Sequence, residues 1–304
     1  LHLLAPRPAV RFQRRRVCPQ FHVRVLRRAL LLRRRFLLYF SPAFCLRLPV
    51  QLFRDLAATD VRAAFDGAYV LFCFVVTLVS ILGIWALAKL FLPDKRLVGE
   101  FVQVCYRSSA AILGTAFLQS IYGTAEMSSM MILGSVPLFN IFAVIILTVE
   151  SPQQHGKVTP SKLLYGVLTN PILDGIILGT LYSLLPFGLP TLAQKTLTSL
   201  SSLTTPLALL SIGASFEGAK AIKKLAPTLV AACCKLMVLT TIFIPIAVKL
   251  GFRDQQLIAL LIMLGSPTTP SSYVMAKNMG HEGVLTASCV AATTLFSALS
   301  LTFW

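Results

Sequence analysis

The sequence predicts an all-α integral membrane protein whose two halves repeat one plan in opposite orientation, and three observations predict it. Hydrophobic residues make up 56% of the 304 residues and charged ones only 13%, with a mean hydropathy of +0.77; soluble domains carry roughly 25% charged residues. Several apolar runs are about 20 residues long, enough to cross a hydrocarbon core of about 30 Å. Two of the runs, one in each half, are interrupted at their middle by small polar residues. A soluble fold of this size could not cover so much apolar surface, so the bilayer is the solvent.

Nine candidate spans lie near residues 36–53, 67–92, 101–122, 127–149, 163–186, 192–216, 225–250, 255–275 and 284–304. They group as an incomplete first helical repeat over 36–150, a cytoplasmic loop over 151–162 and a second repeat over 163–304. Leu48-Pro49-Val50-Gln51-Leu52-Phe53 resembles Thr205-Pro206-Leu207-Ala208-Leu209-Leu210, and the segments Gly99–Gly123 and Gln256–Gly280 are both 25 residues long. The members of each matched pair stand five spans apart in order, an odd number, which gives the halves opposite topology, the plan of many secondary transporters. Basic residues collect in alternate short loops, at Lys95 and Arg96, Lys157 and Lys162, Lys220, Lys223 and Lys224, and Lys277. Those loops are therefore expected in the cytoplasm.

The net charge of +17 is not spread along the chain. Residues 1–35 hold 11 arginines with no lysine and no acid. This segment has no uninterrupted apolar core ahead of a small-residue cleavage site, so it is not a signal peptide. A polybasic membrane-surface arm and an RNA-binding tail are functional readings of it; Arg-only basicity favours a non-native or disordered segment, and no nucleic-acid partner is expected. The chain also reads as cut short at both ends, opening without Met and closing on Phe303 and Trp304 with no polar tail. The seven cysteines lie mostly in apolar runs with no C-x-x-C pair, so they read as packing residues rather than a zinc site or a disulfide framework.

The strongest polar constellation is Gly265-Ser266-Pro267-Thr268-Thr269-Pro270-Ser271-Ser272-Tyr273 within an otherwise apolar span. Two prolines three apart remove two backbone donors and clash with the preceding turn, so the helix should break there. Freed carbonyls at bilayer depth are tolerable where protein or a water-filled cavity satisfies them, which points to a substrate cavity. The counterpart is Tyr106-Arg107-Ser108-Ser109 leading to Gly114. Arg107 lies inside its span, where a charge costs about 2.5 to 3.5 kcal/mol, so it should face a cavity or partner and favours an anion; the alternative is that it reaches back to the cytoplasmic headgroups. Asp174 and Lys235 are candidates for coupling, Asp174 being set against a position at the interface and Lys235 against structural pairing. Asn140, three residues after Pro137, either hydrogen-bonds between helices or joins the substrate site. Gly175-Ile176-Ile177-Leu178-Gly179 reads as a close helix contact. There is no P-loop, zincin motif or nucleophile elbow, so neither an enzyme, a metal site nor a bound cofactor is expected.

From Leu48 to Trp304 the chain resembles the auxin efflux carrier family, chiefly its bacterial members. The resemblance is carried by Leu48-Pro49 with Leu52-Phe53, Phe101-Val102-Gln103 with Arg107-Ser108-Ser109 and Gly114, Val136-Pro137-Leu138-Phe139-Asn140, and Asn170-Pro171. It continues through Thr205-Pro206-Leu207-Ala208-Leu209-Leu210-Ser211-Ile212-Gly213, Lys235-Leu236, and Pro267 to Ala276-Lys277. It implies a ten-helix fold of two inverted five-helix repeats with the fourth and ninth helices unwound where they cross, the first helix being replaced here by the Arg-rich segment. It further implies transport of organic anions without a bound cofactor. This chain has Ser109 where the family usually carries Asn, and Thr115 and Ala116 where a Pro often follows the Gly, so substrate identity does not transfer.

The expectation is a multi-pass carrier of the cell membrane, of the bacterial inner membrane type. Its substrate is a small organic anion bound by Arg107, Ser108, Ser109, Asn140, Ser266, Pro267, Thr268, Thr269, Pro270 and Ser271. A proton or sodium ion is the coupling partner, and a homodimer is an option. The alternative is a channel or receptor-like multipass protein, which would need a continuous polar stripe along several helices rather than two mid-span breaks.

Overall fold

A computed structural model of the chain describes residues 49–50, 53–54, 66–124, 126–152, 171–183, 185, 188–215 and 218–304, and every regular element among them is helical. The first, α1 (Gly67–Phe91), begins at Asp66, whose Oδ1 accepts from the N–H groups of Ala68 and Tyr69 at 3.1 Å each, and it has Lys89 in its last turn. Acid at the start and base at the end both suit the helix dipole. Between them the helix is inside out by the standard of a soluble protein. Leu71, Val79, Leu87 and Leu90 are exposed, whereas Thr77 and Ser80 are buried. A lipid surround makes that pattern favourable, because outward apolar groups then lose nothing, while the inward Thr77 hydroxyl meets the Met263 sulfur at 3.9 Å.

A 3₁₀ turn (Lys95–Leu97) leads into α2 (Val98–Tyr106) and α3 (Ala110–Tyr122), two halves of one broken span closed by Gly123 at φ 75°. That left-handed position favours glycine. Then comes α4 (Glu126–Val149), with Pro137 inside it. Its contact with α1 is close: a Cβ on Gly134 would stand 2.7 Å from the Val70 carbonyl oxygen.

The second half contains α5 (Pro171–Ser183), α6 (Thr191–Ser202), α7 (Thr204–Ser215), α8 (Gly218–Lys223) and α9 (Leu225–Cys233). A π-helical turn (Cys234–Val238) joins α9 to α10 (Leu239–Lys249) as one apolar stretch. Next are α11 (Asp254–Gly265), α12 (Ser271–Asn278) and α13 (Val284–Phe303). The halves pack alike, α1 against α4 and α9 against α13, and α11 crosses against α3.

Among the described residues six helices are long and apolar enough to cross a membrane: Gly67–Phe91, Lys95–Tyr122, Met127–Val149, Thr191–Ala214, Leu225–Lys249 and Val284–Phe303. The predicted span at 255–275 is found as the two short helices α11 and α12, because the break removes Ser266 to Pro270 from either helix. The span predicted from residue 101 starts earlier, at Val98, since Glu100 is buried rather than a boundary charge. Most of the span at 36–53, the start of that at 163–186, the Arg-rich segment 1–35, and Lys157 and Lys162 lie outside the described residues.

Contacts at and near the helix termini define two ends. At one, Lys89 pairs with Glu150 at 2.8 Å, Lys224 with Glu282 at 2.6 Å, and the Ser151 hydroxyl donates to the Met279 carbonyl at 3.3 Å. At the other, Gln256 Nε2 donates to Asp66 at 2.8 Å and the Tyr69 hydroxyl to the Gln256 carbonyl at 2.9 Å. The predicted cytoplasmic loops after α1, before α9 and after α12 thus belong to the first end. Gly175 of the predicted close-contact motif does meet backbone: a Cβ there would lie 2.5 Å from the Pro49 oxygen.

Candidate crossover site

The break in the second half follows from local sequence. Ser266 is extended (ψ 157°), as the residue before Pro267 must be. The next helix resumes behind Pro270, with the N–H groups of Ser272 and Tyr273 returning to the carbonyls of Thr269 and Pro270 at 3.0 and 3.2 Å. In the first half Arg107 is extended (ψ 134°) and α3 starts behind Ser109. The breaks meet: the Ser109 N–H donates to the Pro267 carbonyl at 3.0 Å, and the Ser108 and Ser266 hydroxyls share a hydrogen bond. Both contacts join residues 158 apart, so each break touches its own equivalent in the other half.

Arg107 is 3% exposed and does not reach for headgroups. Its Nε donates to Thr269 Oγ1 at 2.9 Å, and its Nη2 to Asn140 Oδ1 at 2.7 Å and Ser271 Oγ at 3.3 Å. Asn140 is turned for this role by its own Nδ2, which donates to the Val136 carbonyl at 2.9 Å. No carboxylate pairs with Arg107 among the described residues, and its Nη1 is buried without a hydrogen-bond partner. The guanidinium lies against Thr269 and Ser271, where α12 begins, so a full positive charge adds to the positive end of a helix dipole.

The remaining candidates divide. Ser108 and Ser266 are tied to each other, and Ser108 also donates to the Ile262 carbonyl at 3.4 Å. Thr268 donates its hydroxyl to the Val104 carbonyl at 2.8 Å and its N–H to Thr293 at 3.2 Å, so its donors knit the crossing together. Lys235 is completely buried in the π turn, its Nζ 3.3 Å from the Tyr106 carbonyl and 3.4 Å from that of Met263. Asp174 is exposed in the first turn of α5, and none of the hydrogen bonds at the crossing involves it.

Two buried polar groups escape a reading of the sequence. Glu100 is 1% exposed and accepts from the Gly283 N–H at 2.9 Å, the Thr286 N–H at 3.0 Å and the Thr286 hydroxyl at 2.9 Å. It therefore caps α13 from another helix, neutralising donors that have no partner within α13. His281 places Nε2 2.9 Å from the Leu147 carbonyl. The signal for Glu100 was an acid next to a glycine at the head of an apolar span; its partner helix was not legible.

No curated protein matches the chain. The membrane transport protein family matches residues 42–304, which takes in both breaks and every residue around Arg107. The chain is a multi-pass member of that family, the auxin efflux carrier family of membrane transporters.

Proposed function

We propose that the protein is a secondary carrier for a small organic anion, with the anionic group held at Arg107 between the two breaks. One observation carries this reading: a buried guanidinium with no acid beside it among the described residues and Nη1 left as an unpaired donor. Two of its three nitrogens are fixed by Thr269, Asn140 and Ser271, so the third is aimed without further ordering. A carboxylate or similar group would supply the missing acceptor in a charge-assisted hydrogen bond. A breakable crossing suits alternating access, since its polar joints lie at span depth in both halves. The membrane is read as the cell membrane, in the bacterial manner.

The test is anion-induced thermal stabilisation of the purified protein across a panel of mono- and dicarboxylates, with Arg107→Gln and Arg107→Lys alongside. A ligand that binds only the folded state raises its unfolding temperature. The expected result is stabilisation by some anions, with apparent affinity roughly 10- to 150-fold weaker in Arg107→Gln, the range for a hydrogen bond to a charged group. Equal stabilisation of wild type and Arg107→Gln would remove Arg107 from the site.

A further inference from the structure

The polar joint that the anion reading leaves unused is Lys235. The two carbonyls it meets are among those the breaks free. In an unbroken helix the Met263 carbonyl would accept from residue 267, but residue 267 is proline and has no N–H. The Tyr106 carbonyl would accept from Ala110, but the extended Arg107 intervenes and α3 starts a new course at Ala110. Lys235 Nζ lies within 3.4 Å of both. It has no carboxylate partner among the described residues, so carbonyl oxygens are what it is held by.

These carbonyls sit at the negative ends of α2 and α11, which converge on one point inside the bundle. Such a point attracts a cation, and unwound carbonyls with half-helix C-termini are the groups that hold coupling ions in broken-helix carriers. Here the point is already filled by a side chain. The π turn over Cys234–Val238 widens α9 locally at the residue that delivers it.

We propose that Lys235 is a tethered cation: its ammonium occupies the cation position at the negative side of the crossing, and holds α2 and α11 together there in place of a bound alkali-metal ion. Lys235 is then a positioning residue, acting on the anion site through the two breaks it joins. The two positive charges have separate roles. Lys235 is matched by the negative helix ends, whereas Arg107 is unmatched and open to an anion. The inference deepens the carrier reading, and its test contains no organic anion and keeps chloride constant, so either can fail alone.

The experiment measures the unfolding midpoint of the full chain in N-methylglucamine, sodium, potassium and n-propylammonium chloride at equal ionic strength. n-Propylammonium matches the atoms that Lys235→Ala deletes. Wild type should show the same midpoint in every salt. Lys235→Ala should unfold several degrees lower in N-methylglucamine, and n-propylammonium should restore much of the loss where uncharged n-propanol does not. Lys235→Met, which fills the space without the charge, should be lowered and not restored. Restoration by n-propanol as complete as by n-propylammonium, or variants as stable as wild type in every salt, would overturn the proposal. So would a sodium-specific rise in the wild-type midpoint that Lys235→Met retains, a result that does not require Lys235→Ala to fold.

Discussion

Arg107 and Glu100 are both buried charges, and their surroundings give them opposite characters. Glu100 has three donors on it, two from the backbone at the head of α13, so its charge is satisfied within the protein. Glu100→Ala should leave those donors unpaired, at about 1–3 kcal/mol for each one that water does not reach, while Glu100→Gln should cost less; thermal unfolding of the two variants measures the difference. Arg107 keeps one nitrogen without an acceptor. At the surface, Glu282 is held below the usual carboxylate range, first by its hydrogen bond from Lys224. A depressed carboxylate stabilises the fold above its unfolded pKa, and the contribution is lost as pH falls through the folded value. Lys224→Ala should therefore lower stability at neutral pH by no more than about 1 kcal/mol, as for an exposed pair, with the gap to wild type closing below about pH 4. The sequence exposed Arg107 as a candidate because a charge inside an apolar run is visible as such. It hid the role of Glu100, whose partners stand 183 and 186 residues away, two of the three being backbone groups that any sequence supplies.

At the scale of elements, the break in the second half was legible because proline acts on the backbone directly. Pro267 removes the donor that Met263 would need, and Pro270 lets α12 restart behind it. The break at Arg107 has no proline and was legible only by its match to the other half; its geometry depends on the Ser109 to Pro267 hydrogen bond across the crossing. Pro267→Ala should return an N–H to residue 267 and favour a continuous helix through Ser266. Transport should fall while membrane insertion, measured by protease protection, stays intact; undiminished transport would separate the break from function. The π turn was not legible at all, because nothing in Cys234-Lys235-Leu236-Met237-Val238 differs locally from an ordinary apolar helix. It is explained by what Lys235 reaches in two other elements.

For the whole molecule, the apolar runs and the alternation of basic loops were enough to predict the membrane class and which ends lie together. Contacts such as Lys224 to Glu282 and Lys89 to Glu150 gather the expected cytoplasmic loops at one end. Which polar side chains would be tied up within the protein and which left open was not legible, since that depends on where the two halves touch. Ser108, Ser266 and Thr268 look as suitable for a substrate as Thr269 and Ser271 until the crossing is assembled. Counterflow in proteoliposomes tests most directly whether an anion crosses by binding at Arg107. Labelled organic anion outside should accumulate transiently in vesicles preloaded with the same anion unlabelled, saturably, and the accumulation should disappear in Arg107→Gln that inserts and folds as wild type does. Flux that neither saturates nor responds to anion on the far side, or that survives Arg107→Gln unchanged, would contradict it.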